Sequence, residues 1–171
     1  MIFTQLGEII EAQTEAIVCN ANVLGVMDRS ISRLVAQSAG DTVSEEAKDA
    51  CARGKRLEEG GFFTTSSGKL AKKGINRIYH AVIASDPAGF TSMFFIEKSI
   101  KGILKDCVKN KYKSLAIPNL GCNCGFDPIA VATSMSKAII DFYDKIDIVF
   151  VDTDKEFIEK LNTYLLTTKK D

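Results

Sequence analysis

The 171-residue chain has no surplus of charge of either sign, 22 lysines and arginines standing against 22 aspartates and glutamates. A balanced surface offers no net field to draw DNA, RNA or an anionic membrane, so specific nucleic-acid binding and membrane attachment are set aside. No apolar stretch is long enough to span a bilayer, and the opening MIFTQLGEII has neither a basic start nor an apolar run, so it does not read as a signal peptide. Histidine is nearly missing: His80 is the only one. A Ser-His-Asp or Cys-His relay is therefore excluded unless His80 reaches the site, and acid–base work falls to carboxylates or to a ligand's own phosphate. Neither a dinucleotide glycine fingerprint nor a P-loop is present, which argues against hydride transfer and NTP hydrolysis. Repeats, low-complexity tracts and Pro/Gly-rich linkers are also absent, and the chain reads as a single domain over residues 1–171.

What is present is a soluble α/β pattern. AIVC (16–19), RIYHAVIA (77–84), SLAIPNL (114–120) and DIVFVD (147–152) are apolar on consecutive residues, as strands covered on both faces are. GFFTTS (61–66) and the first IFTQL read as further strands. Between them, Met93, Ile96, Ile100, Ile103, Leu104, Cys107 and Val108 follow helical spacing, and so do Ala132, Met135, Ile139, Phe142 and Tyr143, and Phe157, Leu161, Tyr164 and Leu165. Thr42-Val43-Ser44-Glu45 predicts a capping box, and Asp127-Pro128 predicts a cap and first-turn proline for a helix opening at about Ile129. Alternating strands and helices imply a mostly parallel sheet with its functional crevice beyond the carboxyl ends of the strands. The loops leaving that edge are 20–29, 85–92, 119–127 and 152–154. Three are rich in Gly, Asn, Asp or Ser, which suits a ligand with phosphates and hydroxyls.

Several residues on these loops admit a plain structural role. Asp28 precedes the amphipathic RSISRLVAQSAG and reads either as its N-cap or as a functional acid. Asn20 and Asn22 either end a strand as turn formers or deliver carboxamides to the crevice. The five cysteines, Cys19, Cys51, Cys107, Cys122 and Cys124, form an odd set without paired spacing, pointing to a reducing, cytoplasmic interior. Cys122-x-Cys124 has no nearby Cys or His to complete a tetrahedral set, so no metal site is expected. A thiol beside a helix N-terminus can become a nucleophile, a minor alternative. His80, inside a strand, reads as a satisfied core histidine, and the lysine-rich GKLAKKG and KNKYKS read as solvated turns and helix ends.

Four pieces in order resemble the macro domain, an ADP-ribose-binding module: GEIIEAQTEAIVCNAN, LGVMDRSISRLVAQSAG, GGFFTTSSGKL…INRIYHAV and SLAIPNLGCNCGFDP. The resemblance implies a three-layer α/β/α macro domain with a mixed, mostly parallel central sheet. It places Glu8 and Ile9 at the adenine, by carboxylate and backbone N–H. Asn22 falls at the distal ribose, and Asp28 at the acid that orients water in hydrolytic members. Gly25 and Val26 in the first loop, with Gly121, Cys122, Asn123, Cys124 and Gly125 in the second, would hold the diphosphate through amides. Phe126 would pack near the ribose, and Asp152 lies where the adenine pocket closes. Asn22 and Asp28 are thus the implied catalytic pair. The family's run of glycines before the acid is reduced here to Gly25-Val26-Met27, which narrows backbone freedom. The expected activity is hydrolysis of mono-ADP-ribose from protein by a monomer without cofactor. The alternatives are a non-catalytic reader of ADP-ribosylated partners and an O-acetyl-ADP-ribose deacetylase.

Overall fold

The computed structural model describes residues 1–52, 57–85, 91–121 and 124–168. Its strands are β1 (Ile2–Leu6), β2 (Ala16–Asn22), β3 (Phe62–Thr65), β4 (Arg77–Ala84), β5 (Ser114–Ile117) and β6 (Asp147–Asp152). They form a six-stranded sheet in the order β1-β6-β5-β2-β4-β3. Every neighbouring pair is parallel except β3–β4. Among the described residues five α-helices accompany them: α1 (Ser30–Ala39), α2 (Asp41–Ala52), α3 (Met93–Lys109), α4 (Pro128–Ile139) and α5 (Lys155–Thr168).

The consecutive apolar residues of the central strands are explained by two covered faces. In β2, Ala16 and Val18 join a core with Ile100 and Leu104 of α3, Met135 of α4 and Phe157 of α5. The alternate residues, Ile17 and Cys19, pack with Val35 of α1 and Val43 of α2 on the opposite face. The same alternation runs along β6, with Ile148 and Phe150 on the first side and Val151 on the second. Period-two geometry sends neighbours to opposite faces, so only a sheet sandwiched between helix layers accepts such a run.

Several expectations shift. The strand expected over SLAIPNL (114–120) ends at Ile117, just before Pro118. β2 continues past Cys19 to Asn22, because Asn20, Ala21 and Asn22 pair with Ala81, Val82 and Ala84 of β4; ladder pairing there overrides the turn preference of asparagine. The capping box at Thr42 does not start α2, which opens at Asp41. Gly40 (φ 98) donates the last bond of α1 from its N–H to the Ala36 carbonyl at 2.9 Å and accepts the first of α2 on its carbonyl from Val43 N at 3.1 Å. One residue joins the two helices, and no room is left for a Thr42 cap. Asp127 does cap α4, accepting from Ile129 N at 2.7 Å and Ala130 N at 3.1 Å ahead of a first-turn Pro128. Among the described residues no helix is long and apolar enough to cross a membrane.

Candidate functional site

β1 and β6 end level with one another, Leu6 beside Asp152, and three connections meet there. Gly7 N–H donates to the Asp152 carbonyl at 2.9 Å. The Asp152 carboxylate, nearly buried, accepts from Asn119 N at 3.0 Å and from Asp154 N at 2.8 Å. Asp152 therefore ties the chain after β1, β5 and β6 into one rim. Between that rim and α1 lies a cavity of about 270 Å³. Its walls carry Ile31 and Leu34 of α1, Pro118 after β5 and Val151 of β6, and its polar margin carries Gly7, Glu8, Ile9, Ser30, Asp152 and Thr153. Ile31 and Leu34 stand one turn apart and so share a face. Ile9 opens a 3-10 turn, Ile9–Glu11, where the first N–H groups have no partner within the turn.

The loop after β2 is built differently. The Asn22 Oδ1 accepts from Leu24 N at 3.0 Å and Val26 N at 3.3 Å, and Nδ2 donates to the Val26 carbonyl at 3.0 Å. Gly25 N–H donates to the Asn22 carbonyl, and Val23 N–H to that of Ala84, each at 3.1 Å. Gly25 is buried with φ +68, and a Cβ there would lie 2.3 Å from the Ala47 carbonyl and 2.8 Å from the Cys51 sulfur of α2. Only glycine fits. Asp28 is exposed and is not the cap of α1: the helix opens at Ser30 behind Arg29, without a side-chain cap. The capping alternative for Asp28 is thereby removed.

On the third connection, Pro118 lacks an N–H and stops the β5 ladder. Asn119 Oδ1 accepts from Gly121 N at 2.9 Å. A Cβ on Gly121 would sit 2.8 Å from a Val131 methyl and 3.3 Å from the Phe126 ring, so glycine lets this loop settle on α4. Cys124 and Gly125 are exposed, Gly125 at φ +76. Cys122 and Asn123 lie outside the described residues. Beyond the first loop a second cavity of about 500 Å³ is bounded by Val23, Cys51, Leu57, Glu58, Glu59, Ser85, Phe95 and Lys98.

His80 is fully buried between Cys19, whose sulfur is 3.3 Å from Nδ1, and Thr65, whose hydroxyl is 2.9 Å from Nε2. Thr65 spends its own proton on the Ser66 carbonyl, so it accepts from Nε2–H while Nδ1 accepts from the Cys19 thiol. Phe63 stacks on the ring with centroids 4.4 Å apart. Burial lowers the His80 pKa to about 3 and pushes the Cys19 thiol up to about 12. This is a neutral core histidine. Partial shielding also raises the Cys124 pKa, which disfavours the thiolate that a nucleophilic role needs. No cluster of three metal-ligating side chains occurs among the described residues.

The structure brings Glu8, Ile9 and Asp152 together around one cavity, and Asn22, Gly25 and Val26 into one closed turn. Phe126 is half-buried against α4 and the core. Ser30, Ile31, Leu34, Pro118, Val151 and Thr153 were not anticipated as site residues. The amphipathic period of RSISRLVAQ held a partial signal, since it marks Ile31 and Leu34 as one apolar stripe.

A six-stranded mixed sheet between two helix layers, with a half-apolar cavity at its carboxyl edge, defines an α/β domain with an open cavity at its strand ends. The sequence profile of the macro domain matches residues 18–135, and the chain belongs to that family. An Oceanobacillus iheyensis macrodomain mutant solved with ADPR is 17% identical, with TM-score 0.85 over 99% of this chain and 93% of that one. The macrodomain of Mycobacterium tuberculosis DarG is 23% identical, with TM-score 0.78 over 88% and 97%. An uncharacterised Aquifex aeolicus protein is 29% identical over 156 residues, 90% of each chain.

Proposed function

We propose that the chain acts as one macro domain over residues 1–171, a cytoplasmic monomer that binds ADP-ribose at its carboxyl edge and hydrolyses mono-ADP-ribose from modified protein. The cavity between β1, β6 and α1 carries this reading. Apolar walls from Ile31, Leu34, Pro118 and Val151 suit the faces of a purine, while the Glu8 carboxylate and the Ile9 N–H suit its polar edge. The diphosphate then crosses the end of β5 along the loop Gly121 to Gly125, in which the Gly121 and Cys124 N–H groups are already held by Asn119 Oδ1 and the Gly121 carbonyl, with Phe126 beside the ribose. The distal ribose reaches Asn22, Gly25 and Val26. Exposed Asp28 directs a water at the anomeric carbon; the water oxygen bonds to that carbon as the bond to the protein side chain breaks, and a proton passes to the leaving group. Positioning supplies much of the rate, and acid–base help adds ~10²–10⁴-fold.

Calorimetric titration with ADP-ribose beside ADP, ATP and NAD tests the pocket, with ADP-ribose expected to bind most tightly. Asp28→Ala is expected to lower turnover of a mono-ADP-ribosylated protein about 100-fold or more while leaving ADP-ribose affinity nearly unchanged; equal loss of both refutes a catalytic Asp28. One observation favours a non-catalytic reader instead: the amides of residues 23–26 are all satisfied within the chain, so the first loop offers no main-chain clamp. Tight binding with modification left intact selects the reader. Release of acetate from O-acetyl-ADP-ribose, with protein linkages untouched, selects the deacetylase.

A further inference from the structure

We infer that the cavity beyond the first loop receives the protein part of the substrate, and that Glu58 and Glu59 make it select a basic side chain beside the modified residue. The inference rests on the ADP-ribose reading above and names the class of protein that the site takes.

Order along the carboxyl edge carries it. The strands run β1-β6-β5-β2-β4-β3. A ligand with its purine by β1 and β6 and its far ribose by β2 spans three strand spacings, about 14 Å. Whatever is bonded to that ribose comes next in line, at the end of β4. The second cavity opens there. It is lined by Ser85, the residue after β4, and by Val23, the first residue of the loop after β2. Val23 N–H donates to the Ala84 carbonyl at 3.1 Å, which ties the two together. Cys51 also lines the cavity, and its sulfur would lie 2.8 Å from a Cβ on Gly25, so the first loop is backed by the cavity's own wall. A volume of about 500 Å³ is ample for a long side chain.

The lining says which one. Val23, Cys51 and Leu57 pack onto the cluster of Ala21, Ala47, Phe63 and Val82, and half-buried Phe95 adds an aromatic surface. Against this apolar floor stand two carboxylates, Glu58 and Glu59, and one ammonium, Lys98. None of the three has an ion-pair partner among the described residues. The Lys98 stem crosses Gly60, where a Cβ would lie 2.7 Å from its Cδ, and its single charge offsets only one carboxylate. One negative charge is left over. Arginine and lysine suit such a place, with the aliphatic stem on the floor and the cationic head at the acids. An acidic side chain meets the surplus charge and is disfavoured.

The test uses hydrolysis-resistant peptide conjugates of ADP-ribose, alike except for Arg, Ala or Glu on each side of the attachment point. In the parent chain the Arg conjugate is expected to bind about fivefold more tightly than the Ala conjugate, and the Glu conjugate more weakly than either. In Glu58→Gln/Glu59→Gln the three are expected to fall within about twofold of one another, while free ADP-ribose binds as in the parent. Normal ADP-ribose binding with all three conjugates equal in the parent overturns this inference alone. An Arg preference that survives intact in the double variant overturns the role of the two acids. Failure of the parent to bind free ADP-ribose overturns the underlying reading, and this inference with it.

Discussion

The two ends of the sheet's carboxyl edge solve opposite problems. At the β1–β6 end, Asp152 draws three connections together and leaves a cavity between them and α1. At the β2 end, Asn22 folds the chain back on itself and α2 braces it from behind, so that the amides of residues 23–26 all have partners. One end is shaped to be filled by something else, and the other is already filled by itself. The contrast teaches that loops at one edge of a sheet need not be built alike: the open end leaves a cavity, and the closed end spends its amides on its own chain.

The sharpest way to break the contrast is Gly25→Val. Its side chain must enter the space of the Ala47 carbonyl from a left-handed backbone, and we expect a loss of about 3 kcal/mol or more in urea unfolding. A cost under about 1 kcal/mol would mean that the closed end is far softer than its geometry.

Acid tests the core beneath that closed end. His80 binds its proton in the unfolded chain near pH 6.5 but in the folded chain only near pH 3. Its contribution is complete above pH 6.5 and is lost as pH falls towards 3, at about 1.4 kcal/mol per pH unit inside that window. Urea midpoints measured from pH 7 to 4 are expected to show this slope, reduced by one proton in His80→Asn. An identical slope in the variant would show that His80 is not the group titrating.

At the open end, Asp152→Ala strands the amides of Asn119 and Asp154, and about 2 kcal/mol of stability is expected to go with them. ADP-ribose affinity should fall in parallel, because the same residue shapes the cavity; unchanged binding would separate the rim from the pocket. The smallest expected effect is Leu34→Ala, which removes one wall of the cavity. ADP-ribose and ADP affinities should fall together by about tenfold, with stability altered by less than about 1 kcal/mol because Leu34 is only half-buried. A larger loss of stability than of affinity would make that wall part of the core.

Much of the architecture was legible because the buried strands advertise themselves. RIYHAVIA and DIVFVD match β4 and β6 residue for residue, since only a strand covered on both faces tolerates such a run. The end of β2 was not legible: Asn20-Ala21-Asn22 has turn composition, and only its ladder with β4 keeps it extended. Of the residues named from family resemblance, Glu8, Ile9 and Asp152 line the cavity. Ile31, Leu34 and Pro118 were not legible, because periodicity shows that α1 has an apolar stripe but not which gap in the sheet the stripe overlooks. The direction of the Asn22 carboxamide was equally hidden, for a residue type is silent on whether its polar head turns outwards or back to its own chain.

The cavity's polar margin at Gly7, Glu8 and Ile9 hangs from β1, which has a hydrogen-bonded neighbour on one side only. Such a border strand is the part of a sheet that frays at least expense. Any molecule in which β1 has lifted away lacks the Gly7–Ile9 margin of the cavity, so the affinity of a ligand held there is the intrinsic value scaled by the fraction still docked. Whatever grips or loosens that margin, even from the far side of the sheet, becomes a throttle on occupancy without touching the ligand.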